Sequence, residues 1–192
     1  MMKSIINTIV LILAIIAMLP GAAIPQEEPP ASFTYPTDPA LALITLRHLG
    51  GNTGVYTHQT VFADGLLLVE HMSHGEVVKS ASTRLSTTEV DALLRLAIDG
   101  RLLSYDQASA KRDLEQTRKL LVSDGVTVHL EIHVPSLTRS DGTSGAASVE
   151  LAIPNPTVLG QYFPELTEIA AVGELVSAIR AHAQAAATGG GS

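Results

Sequence analysis

The histidines of this chain are the residues whose chemistry first suggests a site. There are seven of them and no cysteine, and imidazole is a common ligand of zinc and copper. His58 and His71 flank Asp64-Gly65, a dipeptide typical of a two-residue hairpin loop. With that loop His58 lies directly opposite His71, and Cβ atoms about 4.5–5.5 Å apart would let both imidazoles bind one metal ion. This pair of candidate metal ligands depends on the register, because a shift of one residue would abolish it.

A second group of polar residues, His129, Glu131 and His133, alternates along the segment VTVHLEIHV. Alternation places all three on one face of a strand, with neighbours about 6.6–6.8 Å apart. Such histidines also fit an ordinary half-exposed strand face, and the chain has no H-E-x-x-H motif. A zinc or copper site is therefore the alternative interpretation, and no cofactor is predicted.

Residues that could act as a nucleophile and its base do not form a recognisable motif. No serine lies in a G-x-S-x-G elbow, and Ser86 with Glu89 is explained as a helix capping box. The absence of cysteine excludes thiol catalysis and cysteine-ligated zinc. The sequence therefore predicts a non-enzymatic protein.

Glycine-rich turns are the remaining candidate site. A phosphate loop would require a helix after its glycines, whereas residues 55–62 alternate like a strand, so residues 50–54 form a hairpin turn. Loops carry binding residues on rigid scaffolds. The predicted contact surface for a partner comprises this turn, His74-Gly75 of the next turn and the polar loop 136–145. Its named residues are Gly50, Gly51, Asn52, Thr53, Gly54 and His74.

The first residues resemble an export signal rather than part of a fold. Lys3 precedes an apolar run from Ile9 to Leu19, and Pro20-Gly21-Ala22-Ala23 ends it with small residues. This pattern predicts a signal peptide over residues 1–23 and a secreted or periplasmic protein. The run is shorter than the roughly 20 residues of a spanning helix, so a retained membrane anchor is the alternative. Residues 24–39, with five prolines, are predicted to be a linker.

The charge of the chain narrows the choice of partner. The formal net charge is -7, and residues 1–23 contain one Lys and no acid, so their removal gives -8. An acidic domain is a poor match for the phosphates of nucleic acid or for an anionic membrane. We therefore expect neither nucleic acid nor, apart from the signal segment, a membrane as partner.

The remaining pattern predicts one α+β domain over residues 40–184. Four strands precede a helix that begins after Ser86 and ends at Asp99-Gly100. A surface helix with Ala110, Leu114, Thr117 and Leu121 on one stripe, two further strands (126–134 and 147–153) and a helix over 165–184 follow. We expect a curved antiparallel sheet of about six strands with two main helices on one face, and a flexible tail over 185–192.

These motifs resemble two groups of bacterial proteins. One is a set of exported domains of unknown function, which share a Gly-Gly-x-x-Gly turn, an Asp-Gly turn and Leu-Ser-x-x-Glu at a helix start. Here these are residues 50–54, 64–65 and 85–89. The chain is also distantly similar to emfourin-type inhibitors of thermolysin-like metalloproteases. The resemblance covers roughly residues 43–183, except that the long segment 105–125 departs from it, and it implies a binding module, such as a protease inhibitor, without catalytic residues.

Overall fold

The computed structural model describes residues 30–50, 54–116 and 126–189. Chain contacts separate residues 1–30 from residues 31–192, and the described elements belong to the second unit. The predicted signal peptide, Gly51, Asn52, Thr53, residues 117–125 and the last three residues lie outside the described ranges.

The described elements are seven strands, four α-helices and one 3-10 turn. The strands are β1 (Ser32–Thr34), β2 (Ala42–Leu49), β3 (Val55–Phe62), β4 (Leu66–Ser73), β5 (Glu76–Arg84), β6 (Thr127–Thr138) and β7 (Ser144–Pro154). The helices are α1 (Thr87–Asp99), α2 (Gln107–Gln116), α3 (Pro156–Tyr162) and α4 (Thr167–Gly189), with the 3-10 turn at Leu102–Ser104. The predicted α+β class and antiparallel sheet are confirmed.

All strand pairs in the described sheet are antiparallel. β6 pairs with β7 along one side; along the other side it pairs with β2 at 127–132 and with β1 at 136–138. From β2 the sheet continues through β3 and β4 to β5. β5 and β7 are therefore the two long edges of an open sheet, and the three-residue β1, which pairs only with β6, is a short edge beside β2.

The core lies between one face of this sheet and helices α1 and α4. In the register, Leu46 lies between Leu130 and Gln59, and Val61 lies opposite Leu67. Because side chains alternate along each strand, these residues belong to one set that shares a face. Its apolar members are buried, as are the inner stripes of α1 and α4. These stripes are Val90, Leu93, Leu94 and Ala97 in α1, and Ile169, Val172, Leu175, Val176 and Ile179 in α4. Burial of this stripe stabilises both helices more than their intrinsic propensity does.

The start of α1 matches the predicted capping box. The Ser86 amide donates to Glu89 Oε2 at 2.7 Å, and the Glu89 amide donates to Ser86 Oγ at 3.3 Å. The Ser86 hydroxyl also donates to Glu89 Oε2 at 2.7 Å, and this bond, followed by that from the Ser86 amide, lowers the pKa of the Glu89 carboxyl. At the C-terminal end of α1, Gly100 has φ −74, so the residue in the left-handed conformation is not this glycine but Arg101, with φ 58. Gly100 is needed for packing, because a Cβ there would lie 2.4 Å from Ala171 Cβ.

The predicted linker and tail boundaries are wrong. Residues 32–34 form β1 and pair with 136–138 of β6. Phe33 packs against the core, with the Arg95 guanidinium 4.9 Å from its ring centroid, and the Tyr35 hydroxyl donates to Asp91 Oδ1 at 2.8 Å. Two aromatic side chains therefore fix this segment to α1. The proline content of the segment had favoured a linker, and it gives no information on these contacts. At the other end α4 continues to Gly189 through the first part of the expected tail.

Candidate functional site

Two predicted binding loops meet at one end of the sheet, which we call the turn end. The His74 amide donates to Gly54 O at 2.9 Å, which joins the β2–β3 loop to the β4–β5 turn. Gly54 has φ 64, and His74 and Gly75 have φ 53 and 88, as in a two-residue type I′ hairpin turn. The structure thus brings Gly50, Gly54 and His74 to the same end, with residues 51–53 outside the described ranges.

The third predicted loop lies elsewhere. β6 starts beside Leu49 at the turn end and runs away from it, so the loop between β6 and β7 lies at the opposite end of the sheet. The strands also extend into the predicted loop and reduce it to residues 139–143. The prediction that residues 136–145 share a surface with the glycine-rich turn is therefore wrong.

Exposed aliphatic side chains concentrate at the turn end. Six of the seven large hydrophobic side chains that are exposed among the described residues lie there, and the seventh is Tyr162 in α3. The six are Leu49 38%, Val55 51%, Val77 50%, Val78 63%, Val126 38% and Val158 49%. Val158 belongs to this group because α3 begins just after the Asn155 amide donates to Val126 O at 2.8 Å. Clustered exposed apolar side chains are typical of an interaction surface, whereas single ones are ordinary.

One row of these side chains crosses the sheet on the face opposite the helices. Cross-strand pairing aligns Thr127 with Leu49, Leu49 with Tyr56, Tyr56 with Met72, and Met72 with Val77. Paired residues point to the same face, so an apolar row spans four strands, β2 to β5, and ends at Thr127 of β6. Its two exposed members lie on different strands, which makes the row a surface rather than a single exposed side chain.

The next row inward is polar. Arg47 lies between His129 and His58, and His58 lies opposite Glu70. Arg47 pairs with Glu131, and His58 Nδ1 lies 3.3 Å from Glu70 Oε2. The four side chains of these two pairs remain between 24% and 44% exposed. The face without helices therefore carries an apolar row at the turn end, followed by a row of paired polar side chains.

A hydroxyl, an imidazole and a carboxylate follow one another on this face, which is the order of groups in a catalytic triad. They belong to Thr60, His58 and Glu70. The Thr60 Oγ1 to His58 Nε2 distance is 3.5 Å, longer than the 2.6–3.2 Å expected between a nucleophile and its base. Thr60 is also only 8% exposed, so a substrate has little access to its hydroxyl. We therefore assign these contacts to the polar packing of the sheet face.

The predicted pairing of His58 with His71 is wrong. The turn places three residues, Ala63, Asp64 and Gly65, between the paired strands, and the Gly65 amide donates to Phe62 O at 3.0 Å. Gly65 takes φ 85, as the last residue of a three-residue loop does. This extra residue moves the register by one, so His58 faces Glu70 and His71 faces Thr57. The two imidazoles lie on opposite faces of the sheet and cannot share a metal ion.

The turn itself is held by the Asp64 carboxylate. Oδ1 accepts the Leu66 amide at 3.0 Å and Oδ2 accepts Arg84 at 2.8 Å. The Leu66 hydrogen bond, followed by the Arg84 contact, keeps the pKa of Asp64 below its usual value. The same Asp-Gly signal that predicted the hairpin therefore also stabilises the longer loop.

His129, Glu131 and His133 lie on the face opposite the helices, as their alternation predicted. Within residues 30–50, 54–116 and 126–189, no three His, Asp or Glu side chains are placed to hold a metal ion. Among the same residues, no helix has the length and apolarity required to cross a bilayer.

His48 is a half-buried titratable residue that the sequence analysis missed. Its Nε2 lies 3.3 Å from Gln59 Oε1, and its Nδ1 is buried with no hydrogen-bond partner in the described part of the chain. Burial lowers the pKa of His48, opposed by the Gln59 contact and assisted by the Arg180 charge. It lies beside a cavity of about 190 Å³ that Arg180 also lines. The signal was available, because His48 continues the alternation of Ile44 and Leu46.

Comparison with protein families and with curated proteins identifies no relative of this chain. No protein-family model matches the chain, and a search of curated proteins gives no significant match. The fold class therefore stands on the structure itself: an open antiparallel sheet covered by helices on one face.

Proposed function

We propose that this chain is an exported binding domain that recognises another extracellular or periplasmic protein, such as a protease, through its turn end. The observation that carries the proposal is the concentration of six exposed aliphatic side chains at the turn end, where Gly54 and His74 also lie. Burying apolar surface gives about 25 cal/mol per Å², so a partner that covers these side chains gains a substantial part of a binding energy. Residues 1–23 have the pattern of a signal peptide, which supports a partner outside the cytoplasm.

The geometry favours a preformed surface. The Gly54–His74 hydrogen bond fixes the two loops relative to each other, and the strands beneath them are continuously paired. A surface that is already ordered loses less conformational entropy on binding. Two side-chain pairs, Arg47 with Glu131 and His58 with Glu70, border the apolar row and would form part of a polar rim.

Affinity capture with a matched pair of variants tests this function. Leu49→Asp places a charge in the apolar row, whereas Ala146→Asp places the same charge on an exposed residue near the other end of the sheet. We expect immobilised wild type and Ala146→Asp to recover the same protein from the culture medium, and Leu49→Asp to lose it. Recovery of no protein, or equal recovery by all three chains, would overturn the proposal.

The protease assignment has its own assay. A recovered protease is mixed with increasing amounts of the purified chain, and its activity on a peptide substrate is followed. Wild type is expected to reduce activity in a saturable way, with Leu49→Asp at least about tenfold weaker, which corresponds to about 1.4 kcal/mol. A captured protein without protease activity would retain the binding function and remove the protease as its target.

A further inference from the structure

The outer edge of β5 presents a regular set of main-chain groups. The Leu85 amide donates to Gly65 O at 2.8 Å, which identifies these two residues as a hydrogen-bonded pair. Hydrogen-bonded and non-hydrogen-bonded pairs alternate along an antiparallel ladder. Thr83, Ala81 and Lys79 therefore bond to β4 through their pairs with Leu67, Val69 and His71. The main-chain groups of the intervening residues point away from the sheet; these residues are Ser80, Ser82 and Arg84.

A β-bulge limits this edge at its other end. The register shifts between His71 and Met72, which pair with Lys79 and Val77, so Val78 is an extra residue. The bulge interrupts the alternation, and a straight strand can pair regularly only with residues 79–85. Seven of the nine β5 residues are exposed, so the described chain leaves this stretch accessible.

We infer that β5 pairs with β5 of a second copy of this chain, antiparallel, about a two-fold axis at Ser82. Ser82 then faces its own copy, and Ser80 faces Arg84 of the other copy. This register matches all three outward-facing residues of each strand, which gives about six hydrogen bonds at two for each pair. The same surface is used by both copies, as closed two-fold symmetry requires. This inference goes beyond the proposed binding function and does not depend on it.

The bulge selects this register among the symmetric ones. A two-fold axis at Ser80 would set Ser82 against the bulged Val78, and an axis at Ala81 would set Arg84 against it. Only the axis at Ser82 keeps each outward residue within the regular stretch. The bulge thus limits pairing of this edge with other strands but still allows one symmetric register with a second copy.

Side chains near the axis are compatible with a second copy. Ala81 would face Thr83 and Lys79 would face Leu85, so no like charges are directly opposed. Ser80 pairs with Glu70 on the same face of the sheet. Arg84 of the other copy, placed beside Ser80, would therefore share a row with Glu70. Within each copy Arg84 already donates to Asp64 and Glu70 lies beside His58, so the second copy adds an opposite charge to this row next to the existing pairs.

Analytical ultracentrifugation of the full chain, purified as the expressing cell processes it, tests the inference. Wild type is expected to show a reversible monomer–dimer equilibrium. Ser82→Pro removes the outward amide at the axis in both copies and should leave a monomer, whereas Ser82→Ala keeps the amide and should dimerise like wild type. A wild type that remains monomeric at all concentrations, or a Ser82→Pro variant that dimerises normally, would overturn the inference.

Cysteine cross-linking tests the register without a proline. The chain has no cysteine, so a single introduced thiol can only pair between copies. Hydrogen-bonded partners have Cα atoms about 5.5 Å apart, within the span of a disulfide, so Ser82→Cys should form a covalent dimer on mild oxidation. In the proposed register two Ser80 residues lie four positions apart, about 13 Å along the strand, so Ser80→Cys should cross-link poorly. Equal cross-linking of the two variants would refute the axis at Ser82.

Discussion

The two long edges of the sheet, β7 and β5, differ in what covers their outward main-chain groups. At β7, the Gln107 side chain of α2 accepts the Ala152 amide at 2.7 Å and donates to Ala152 O at 3.3 Å. At Ala152 a side-chain amide therefore occupies the position that the next strand would take, whereas Ser148 and Glu150 farther along the edge are exposed. At β5, a bulge at Val78 shortens the regular stretch, and the outward groups of Ser80, Ser82 and Arg84 have no such cover in the described chain.

This difference shows that an edge strand can be closed by a local substitute for a strand or left available with a restricted register. Natural sheets limit unwanted pairing by bulges, charges or covering elements. The β7 edge is covered by a side chain at Ala152, and the β5 edge has a bulge together with Lys79 and Glu76. The pairing of β5 inferred above requires this second kind of edge.

The largest expected effect comes from the packing on the β7 side. A Cβ at Gly173 would lie 2.8 Å from Pro156 O and 3.0 Å from Thr157 Cα, so α4 cannot approach α3 with a larger residue there. Gly173→Ala should lower the free energy of unfolding by about 1–3 kcal/mol through overpacking, despite the higher helix propensity of alanine. Chemical denaturation measures this change. Gly145→Ala is the control, because a Cβ at Gly145 meets no atom within 4 Å, and a similar loss in that variant would contradict the packing argument.

Gln107→Ala removes the side chain that covers the β7 edge and so tests the difference between the two edges directly. This variant removes both hydrogen bonds to Ala152 and should cost about 1 kcal/mol, because each bond contributes about 0.5–1.5 kcal/mol and the exposed groups regain water. Amide hydrogen exchange measures the local effect: the Ala152 amide should be protected in wild type and exchange faster in the variant. The control is an amide of the β6–β7 ladder such as that of Leu151, and exchange of Ala152 that does not change would show that Gln107 does not close the edge.

Two histidines in one cross-strand row sharpen the comparison further. His48, near the centre of the sheet, is half-buried, whereas His71 on β4, next to the β5 edge, is exposed. Because burial lowers the folded-state pKa of His48, the unfolded chain binds more protons as the pH falls below about 6.5. Stability should therefore fall as the pH drops from about 6.5 toward the folded-state pKa, and be unaffected by this group at higher pH.

Denaturation midpoints of wild type, His48→Gln and His71→Gln between pH 7.5 and 5 check this expectation. His48→Gln should flatten the pH dependence in this interval, and His71→Gln should leave most of it. If the two variants flattened it equally, burial of His48 would not be its source.

The smallest effect on stability is expected at the exposed aliphatic side chains beside the β5 edge. Val78→Asp changes a side chain that is 63% exposed and should alter the free energy of unfolding by less than about 0.5 kcal/mol. Thermal denaturation of the variant beside wild type measures it. A loss of several kcal/mol would mean that the bulge at Val78 is part of the folding core rather than of a surface.

Local patterns allowed much of the fold to be predicted. The capping box at Ser86 and Glu89, the alternation of residues 126–134 and the helical stripe from Ile169 to Ile179 each depend on neighbours in sequence, and all three elements are present. Helix and strand periods are local properties, so one sequence suffices to find them. The glycines at 50–54 and the Asp-Gly dipeptide likewise identified the hairpins, because few other residues take φ above zero.

The candidate site required tertiary structure because its geometry depends on a register. One extra residue in the turn at Asp64 moved His58 away from His71 and opposite Glu70. Side chains alternate with a period of two, so a shift by one residue transfers a histidine to the other face. The cover of β7 by Gln107, 45 residues away in sequence, had no local signal at all.

The amino-acid sequence by itself determined the α+β class, the positions of most helices and strands and the turns between them, because these follow from periodicity, capping and backbone freedom. Only the tertiary structure decided which strand became the open edge, which loops met at the turn end and that Phe33 and Tyr35 belonged to the domain. Those outcomes arise from contacts between residues distant in the chain, and the free energy of such contacts depends on the whole packed arrangement rather than on any one segment.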